Sequence, residues 1–270
     1  MNPILRNLLS VARRFKLAAT LNILGLSVAF ATFMIIMIQL DYDYGFDKFH
    51  KDYDKIFRLE NSMNTSKSAV ISRPLAECFF ESSPHIVAGA ISYPWGGDVF
   101  FHVENDLQNF FNEKIILVSP GFTDVFTFDF VEGAENTLKT PGNIIIPLSI
   151  SRKIFGNESA IGKQLEIEKN NLTVGAVYRD FPDNTVVNNY IYAPLPENEN
   201  KQNWGTWNYH VYVRVNQASN ASLLLDNFKR NLDARVVFGD GFEWEEEGVG
   251  VDLHLSALKD IHFITDGCTI

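Results

Sequence analysis

Apolar positions along the chain fall into three regimes. Residues 18–40 (AATLNILGLSVAFATFMIIMIQL) form an uncharged run of 23 residues. At about 1.5 Å per residue a helix over this run is roughly 34 Å long, enough to cross a hydrocarbon core of about 30 Å. Upstream, at helical spacing, Ile4, Leu8, Val11, Ala12 and Phe15 gather on one side and Arg6, Asn7, Ser10, Arg13 and Arg14 on the other. That pattern predicts an amphipathic basic helix over 1–17, suited to the cytoplasmic face of a membrane; a basic tail without fixed structure is the alternative. After residue 40 the pattern breaks into short segments of helical and strand period.

A cleaved signal peptide competes with a membrane anchor for the apolar run. Signal-peptide apolar regions are shorter and end in a small-residue cleavage site, whereas this run ends in Gln39-Leu40-Asp41-Tyr42, so an uncleaved anchor is expected. Arg6, Arg13, Arg14 and Lys16 precede it, and Asp41, Asp43 and Asp47 follow. The asymmetry predicts a cytoplasmic N-terminus, with residues 41–270 outside. Asn22, Gly25, Ser27 and Thr32 inside the run suit contact with other membrane helices, although single small polar residues also face lipid.

Beyond the anchor, Phe46, Phe49, Tyr53 and Ile56 recur at helical spacing and predict a short helix over 46–55. Strands are expected at 56–60, 86–93, 99–103, 114–118, 144–147, 210–215 and 251–255. Pro74 suits the first turn of a helix over 74–82, stopped by Pro84, and a second helix covers 150–155 before Gly156. Residues 164–168 and 172–178 form a hairpin pattern around Asn170-Asn171. Ser219 or Asn220 can cap a helix with Leu224, Phe228 and Leu232 on one face. Strand–helix–strand units at about 56–93 and 208–256 bracket a β-rich insertion at about 97–200. The fold class is therefore α+β: an N-terminal transmembrane helix, then an exported domain in which a split β-α-β subdomain carries an inserted β-rich one. In that arrangement the 74–82 and 220–235 helices share one face, with Leu75 and Phe79 beside Leu224 and Phe228.

Charge narrows the partners. Of 23 Lys and Arg, four lie in residues 1–40, which hold no Asp or Glu; the remaining 19 stand against all 33 Asp and Glu, a net of −14 for residues 41–270. So acidic an exported part is unsuited to nucleic acid. The 22 Phe supply the material for a core. Two cysteines, Cys78 and Cys268, are either one bridge or two free thiols.

Candidate chemistry is sparse. Asp47, His50 and Asp54 would share a helix face as metal ligands, or simply form a solvated face. His85, His102, His210, His254 and His262 have no paired spacing. Glu243, Glu245, Glu246 and Glu247 surround Trp244 without the Asp, Asn and Gly of a calcium loop, and read as a solvated loop or a contact for a basic partner. Gly239-Asp240-Gly241 and Gly248-Val249-Gly250 lack the strand–helix setting of a phosphate loop. Trp204, Trp207 and Tyr209 could stack on a ligand or anchor a strand in the core. No serine occupies a nucleophile elbow. No residue is assigned a catalytic, cofactor-binding or metal role, and an enzyme is not expected.

Specific stretches resemble a known family. LNILGLSVAF (21–30), DYGFDKFHKDYDKIFRLE (43–60), the segment from Gly121 to Ile167, LTVGAVYRDFPDNT (172–185) and LHLSALKDIHF (253–263) are similar to MacB-type ABC transporter permeases of the FtsX-like group. The resemblance implies a bacterial inner-membrane permease subunit that dimerises with a second copy. A separate cytoplasmic ATPase subunit would hydrolyse ATP, and a periplasmic core domain would contact cargo or a periplasmic adaptor. Helix motion would pass to that domain by mechanotransmission. Permeases of this group continue into further membrane helices, so a chain ending at Ile270 is expected to be a fragment or a truncated gene product. The alternative class is a membrane-anchored extracytoplasmic sensory or ligand-binding module.

Overall fold

The structure, a computed structural model, describes Ser10 and residues 13–63, 66–104, 108–167, 170–232 and 252–263. The basic helix expected over 1–17 falls largely outside them, as do Cys268, the acidic run around Trp244 and both Gly-X-Gly segments. The chain forms two compact units, Met1–Phe46 and Asp47–Ile270.

In the first unit, helix α1 (Lys16–Tyr44) is long and apolar enough to cross a membrane. None of its residues is buried, and apolar side chains from Leu17 to Leu40 stand exposed on every side. A helix apolar all round needs an apolar environment, which lipid supplies. Within it the Thr32 hydroxyl donates to the Val28 carbonyl at 3.0 Å, so this polar group is satisfied inside its own helix. The helix runs past the predicted end at residue 40 because Asp41-Tyr42-Asp43-Tyr44 adds one more turn, closed at Gly45, whose N–H bonds Asp41 and Asp43.

The second unit is mixed α+β. Its elements in chain order are β1 (Ile56–Met63), β2 (Ser66–Ser68), β3 (Val70–Ser72), α2 (Arg73–Glu81), β4 (Ile86–Tyr93), β5 (Asp98–Val103) and β6 (Phe110–Val118). Then follow α3 (Phe122–Val125), β7 (Phe130–Gly133), β8 (Asn143–Pro147), α4 (Leu148–Phe155), β9 (Gln164–Ile167), β10 (Asn170–Tyr178) and β11 (Ile191–Pro194). The last are β12 (Trp207–Val215), α5 (Ala221–Asn231), β13 (Asp252–Ala257) and α6 (Leu258–Ile261). Strands far apart in sequence form a central antiparallel sheet in the order β4-β12-β1-β13, with Leu59 opposite both Val211 and Leu255.

Six of the strands between β4 and β12 close into a ring. β5 pairs with β6, β6 with β11 in parallel, β11 with β8, β8 with β10 in parallel, β10 with β9, and β9 back with β5. This six-membered ring removes edges that an open sheet would expose. It encloses a core of Phe101, Ile115, Ile144, Ile146, Leu165, Val174, Val177 and Ile191. β6 belongs to both parts, because Ser92 and Tyr93 of β4 pair with Val118 and Leu117.

The period of two along β1, β4 and β12 sends alternate residues to opposite faces of the central sheet. Leu59, Ile91, Val211, Val213 and Val215 face α2 and α5, where Leu75 and Phe79 lie in one cluster with Leu224 and Phe228. The Phe79 and Phe228 rings meet edge to face at 5.3 Å, so the two helices share a face, as expected from the order of the strand–helix–strand units. Ile56, Ala90 and Tyr212 face the other way, toward Phe122, Phe126 and Phe181. Helix α3 can lie close to β4 because Gly121 lacks a side chain; a Cβ there would sit 2.3 Å from the Gly89 carbonyl oxygen.

Three local expectations change. Asn170 and Asn171 are strand residues of β10, opposite Ile167 and Glu166, and not the hairpin turn. Asn220 precedes α5 but makes no side-chain cap; its amide reaches Asn216 at 2.9 Å and His85 at 3.2 Å, and a 3-10 turn over Ala218–Asn220 starts the helix instead. The predicted helix over 46–55 is absent.

Candidate functional site

Where that helix was expected, residues 45–52 form turns and only Tyr53–Lys55 makes a 3-10 turn. Asp47 and Asp52 adopt left-handed backbone with φ of 58° and 60°, which breaks the helical path twice. Within the second unit the spacing of Phe49 and Tyr53 therefore reflects turn residues directed at one cluster, not one helix face.

Asp47 and His50 are buried at the centre of this turn, 0% and 1% exposed, while Asp54 is exposed. The three do not converge, so neither the metal-ligand nor the solvated-face expectation describes them. Among the described residues no group of three or more His, Cys, Asp or Glu is arranged to hold a metal ion.

Two loops hold the turn in place. From the loop between β10 and β11, the Asn184 carbonyl accepts the Asp47 N–H at 2.9 Å. The Thr185 hydroxyl and the Val186 N–H donate to Asp47 Oδ1 at 2.7 and 3.0 Å. From the loop between α3 and β7, the Thr127 N–H donates to His50 Nδ1 at 3.1 Å, and the Thr127 hydroxyl accepts the Lys51 N–H at 2.7 Å. Because Nδ1 accepts, the imidazole proton is assigned to Nε2, which lies 3.9 Å from Asp47 Oδ1.

Burial dominates the electrostatics. It raises the Asp47 carboxyl to about 6, against the opposing effect of the bonds from Thr185 and Val186 and of nearby His262. It lowers the His50 imidazole to about 3. At neutral pH the turn thus carries an ionised carboxylate beside a neutral imidazole.

Aromatic rings surround the pair. His50 lies 5.2 Å from Phe126 and 6.0 Å from Phe181. Phe126 meets Tyr212 of the central sheet at 5.0 Å, and Phe181 meets Phe128 and Tyr178 at 5.1 and 5.0 Å. The 181–189 loop closes on itself: Asn189 Oδ1 accepts the Phe181 N–H at 2.7 Å and its Nδ2 donates to the Phe181 carbonyl at 3.0 Å. The Tyr178 hydroxyl bonds the Tyr190 carbonyl at 2.7 Å.

The other candidates lie apart. His85 contacts Asn220, His102 lies 3.4 Å from Glu166, and His254 bonds Ser62 at 2.7 Å. Burial lowers the His210 imidazole to about 4. Tyr209 is a core residue of β12, with Trp204 and Trp207 partly buried against the same cluster. Trp204 also borders a shallow depression with Asn198, Asn200 and Lys201. Cys78 is a free, half-buried thiol. Sequence reasoning missed the buried ion pair Arg58–Glu60, 2.6 Å apart and one strand period from each other on β1. Their i, i+2 spacing placed them on one face, but nothing in the pattern marked that face as buried.

Similarity searches bear on this architecture. A search of curated proteins finds no match. Among solved structures, a domain of a permease protein from Porphyromonas gingivalis aligns with a TM-score of 0.60 at 22% identity, over 77% of this chain and 92% of that one. The periplasmic region of MacB from Actinobacillus actinomycetemcomitans aligns with a TM-score of 0.53 at 13% identity, over 84% of this chain and 96% of that one. At these identities the likeness is one of fold. The family model of the MacB-like periplasmic core domain matches residues 19–230, from inside the apolar helix through nearly all of α5, and the chain belongs to that family.

Proposed function

We propose that the chain is the N-terminal part of a permease subunit of a MacB/FtsX-like ABC transporter in a bacterial inner membrane. Its N-terminus is cytoplasmic and residues 41–270 are periplasmic. Residues 56–93 and 208–256 make up the split β-α-β subdomain, and residues 97–200 the β-rich insertion. A second permease copy dimerises with it, and a separate cytoplasmic ATPase subunit hydrolyses ATP. The periplasmic unit receives the resulting motion and contacts an adaptor or exported cargo. One observation carries this reading: a single family match extends from residue 19, inside the apolar helix, to residue 230 of the second unit. Anchor and domain therefore belong together, as a relay of motion requires.

Two measurements test it. A reporter fused after Ile270 should be active outside the cytoplasm and one fused before Leu17 should not; reversed activities overturn the topology. The purified full chain should hydrolyse no ATP, and should co-purify with an ABC ATPase subunit encoded beside it. Hydrolysis by the chain alone, or no association with such a subunit, overturns the permease reading.

A further inference from the structure

We propose that Asp47 and His50 are positioning residues: they hand displacement of the preceding chain to the two loops around the aromatic cluster before it reaches the ladder of β1. The proposal rests on the permease reading and specifies where motion enters the exported unit.

Asp47 is the first residue of that unit, two positions beyond the residue that closes α1. Strand β1 begins only at Ile56. Between them the left-handed residues Asp47 and Asp52 interrupt the chain, so no continuous helix leads from one to the other. What holds residues 47–51 is the set of bonds to Asn184, Thr185 and Val186 on one side and to Thr127 on the other. A pull on Asp47 is therefore resisted first by these loops and only afterwards by the ladder of β1.

The receiving loops are braced internally and against one another. The 181–189 loop is closed by the reciprocal Phe181–Asn189 bonds and joins β10 to β11, both members of the strand ring. The Thr127 loop carries Phe126 and Phe128, which pack on Tyr212, Tyr178 and Phe181. Displacement at Asp47 is thus delivered to the inserted ring through packed rings and short hydrogen bonds. The choice of residues agrees: a buried carboxylate beside a buried imidazole is a poor way to gain stability, since an apolar pair avoids the cost of desolvation. Directional bonds to two separate loops are what this pair supplies and an apolar pair does not.

The test uses the full chain in lipid nanodiscs made from short-chain or long-chain phosphatidylcholine. Bilayer thickness forces a spanning helix to tilt or shift. Amide hydrogen exchange is read at Thr127, Val186 and Val187, and for comparison at Leu59 and Glu60 of β1. In the unmodified chain the loop amides should change several-fold in exchange rate between the two bilayers, while the β1 amides stay constant. Asp47→Ala should abolish that dependence. Asp47→Asn, which keeps an acceptor for Thr185 and Val186, should retain it, an outcome that a purely structural role does not predict. Should Asp47→Ala not fold, Thr127→Val combined with Thr185→Val should give the same loss.

The proposal is overturned by loop exchange indifferent to thickness, by equal changes in β1, or by a full response in the variant that lacks the bonds. The sample contains no ATPase or adaptor. A negative result therefore removes this route and leaves the permease reading standing, whereas failure to find an ATPase subunit leaves the thickness response untouched.

Discussion

The central sheet buries its two faces against cores of different character. Toward α2 and α5 the contacts are apolar throughout: Leu59, Leu75, Phe79, Val211, Val213, Leu224 and Phe228 are all fully buried. Toward α3 the lining is aromatic and mixed with polar groups. Tyr178, Tyr192 and Tyr212 bury their hydroxyls there, and Asp47 and His50 are enclosed with them. The apolar face is held by area and shape, which are insensitive to pH and direction. The aromatic face is held in part by hydrogen bonds that point to particular loops, and its stability depends on protonation. The first can serve as a scaffold, and the second can carry a directed signal.

The contrast should first appear in truncation. Phe228→Ala on the apolar face should cost about 3–5 kcal/mol, through lost burial and the cavity left beside Phe79. Urea unfolding of the full chain in detergent micelles measures it. A cost below about 1 kcal/mol would mean that the seam collapses to fill the space and is not the scaffold described here.

A smaller effect is expected at the buried ion pair. Glu60→Gln keeps an acceptor for Arg58 but removes the charge, and should cost about 1.5–3 kcal/mol. Replacing both residues with apolar ones of similar volume should recover most of that loss, since the pair's attraction is largely spent on desolvation. A double variant no better than the single one would show that the pair contributes net stability.

The polar side of the comparison is sharpened by pH. His50 is held below its ordinary value of 6.5, at about 3, so its contribution is present above 6.5 and is lost as pH falls toward 3. Asp47 is raised from 3.8 to about 6, so its contribution runs the other way: present below 3.8 and lost as pH rises through 6. Between about 6 and 4 the two oppose each other, each at on the order of 1.4 kcal/mol per pH unit. Asp47→Asn removes one arm. Its stability should fall more steeply than that of the parent as pH drops from 6 to 4, and the difference between the two curves isolates Asp47. His210 and the other titrating groups are common to both proteins. Parallel curves over that window would show that the Asp47 carboxyl is not raised.

The smallest effect belongs to the surface. Arg179 and Asp129 meet at 2.7 Å with both side chains more than half exposed, and Arg179→Ala should change stability by about 0.2–1 kcal/mol, less in high salt. A larger loss would mean that this pair fixes the start of the 181–189 loop, extending the polar network outward.

Much of the fold could be read from local pattern. The apolar run predicted α1, and alternation along 210–215 predicted the core of β12. The spacing of Leu224 and Phe228, like that of Leu75 and Phe79, predicted two amphipathic helices, and the order of the strand–helix–strand units placed them on one face, where two rings meet at 5.3 Å. Each is a periodicity imposed by one element and one buried surface. The site was not legible in the same way. Phe46, Phe49, Tyr53 and Ile56 have helical spacing, yet the backbone between them turns at Asp47 and Asp52. The pattern alone offers Asp47 and His50 only as metal ligands or part of a solvated face, because Thr185, which bonds Asp47, and Thr127, which bonds His50, lie far away in the sequence.

The sequence by itself determined the apolar span, the acidity of the part that follows it, most of the longer strands and helices and the family stretches, because these depend on residues adjacent in the chain or one period apart. Tertiary structure decided the parallel pairing of β6 with β11 that closes the strand ring, the burial of Arg58 and Glu60, and the shift of Asp47 and His50 in opposite directions. Each of these depends on which distant segment comes to lie alongside. A carboxyl or imidazole is displaced by the dielectric around it, and that is set by rings such as Phe126 and Phe181 that reach it only when the chain has folded.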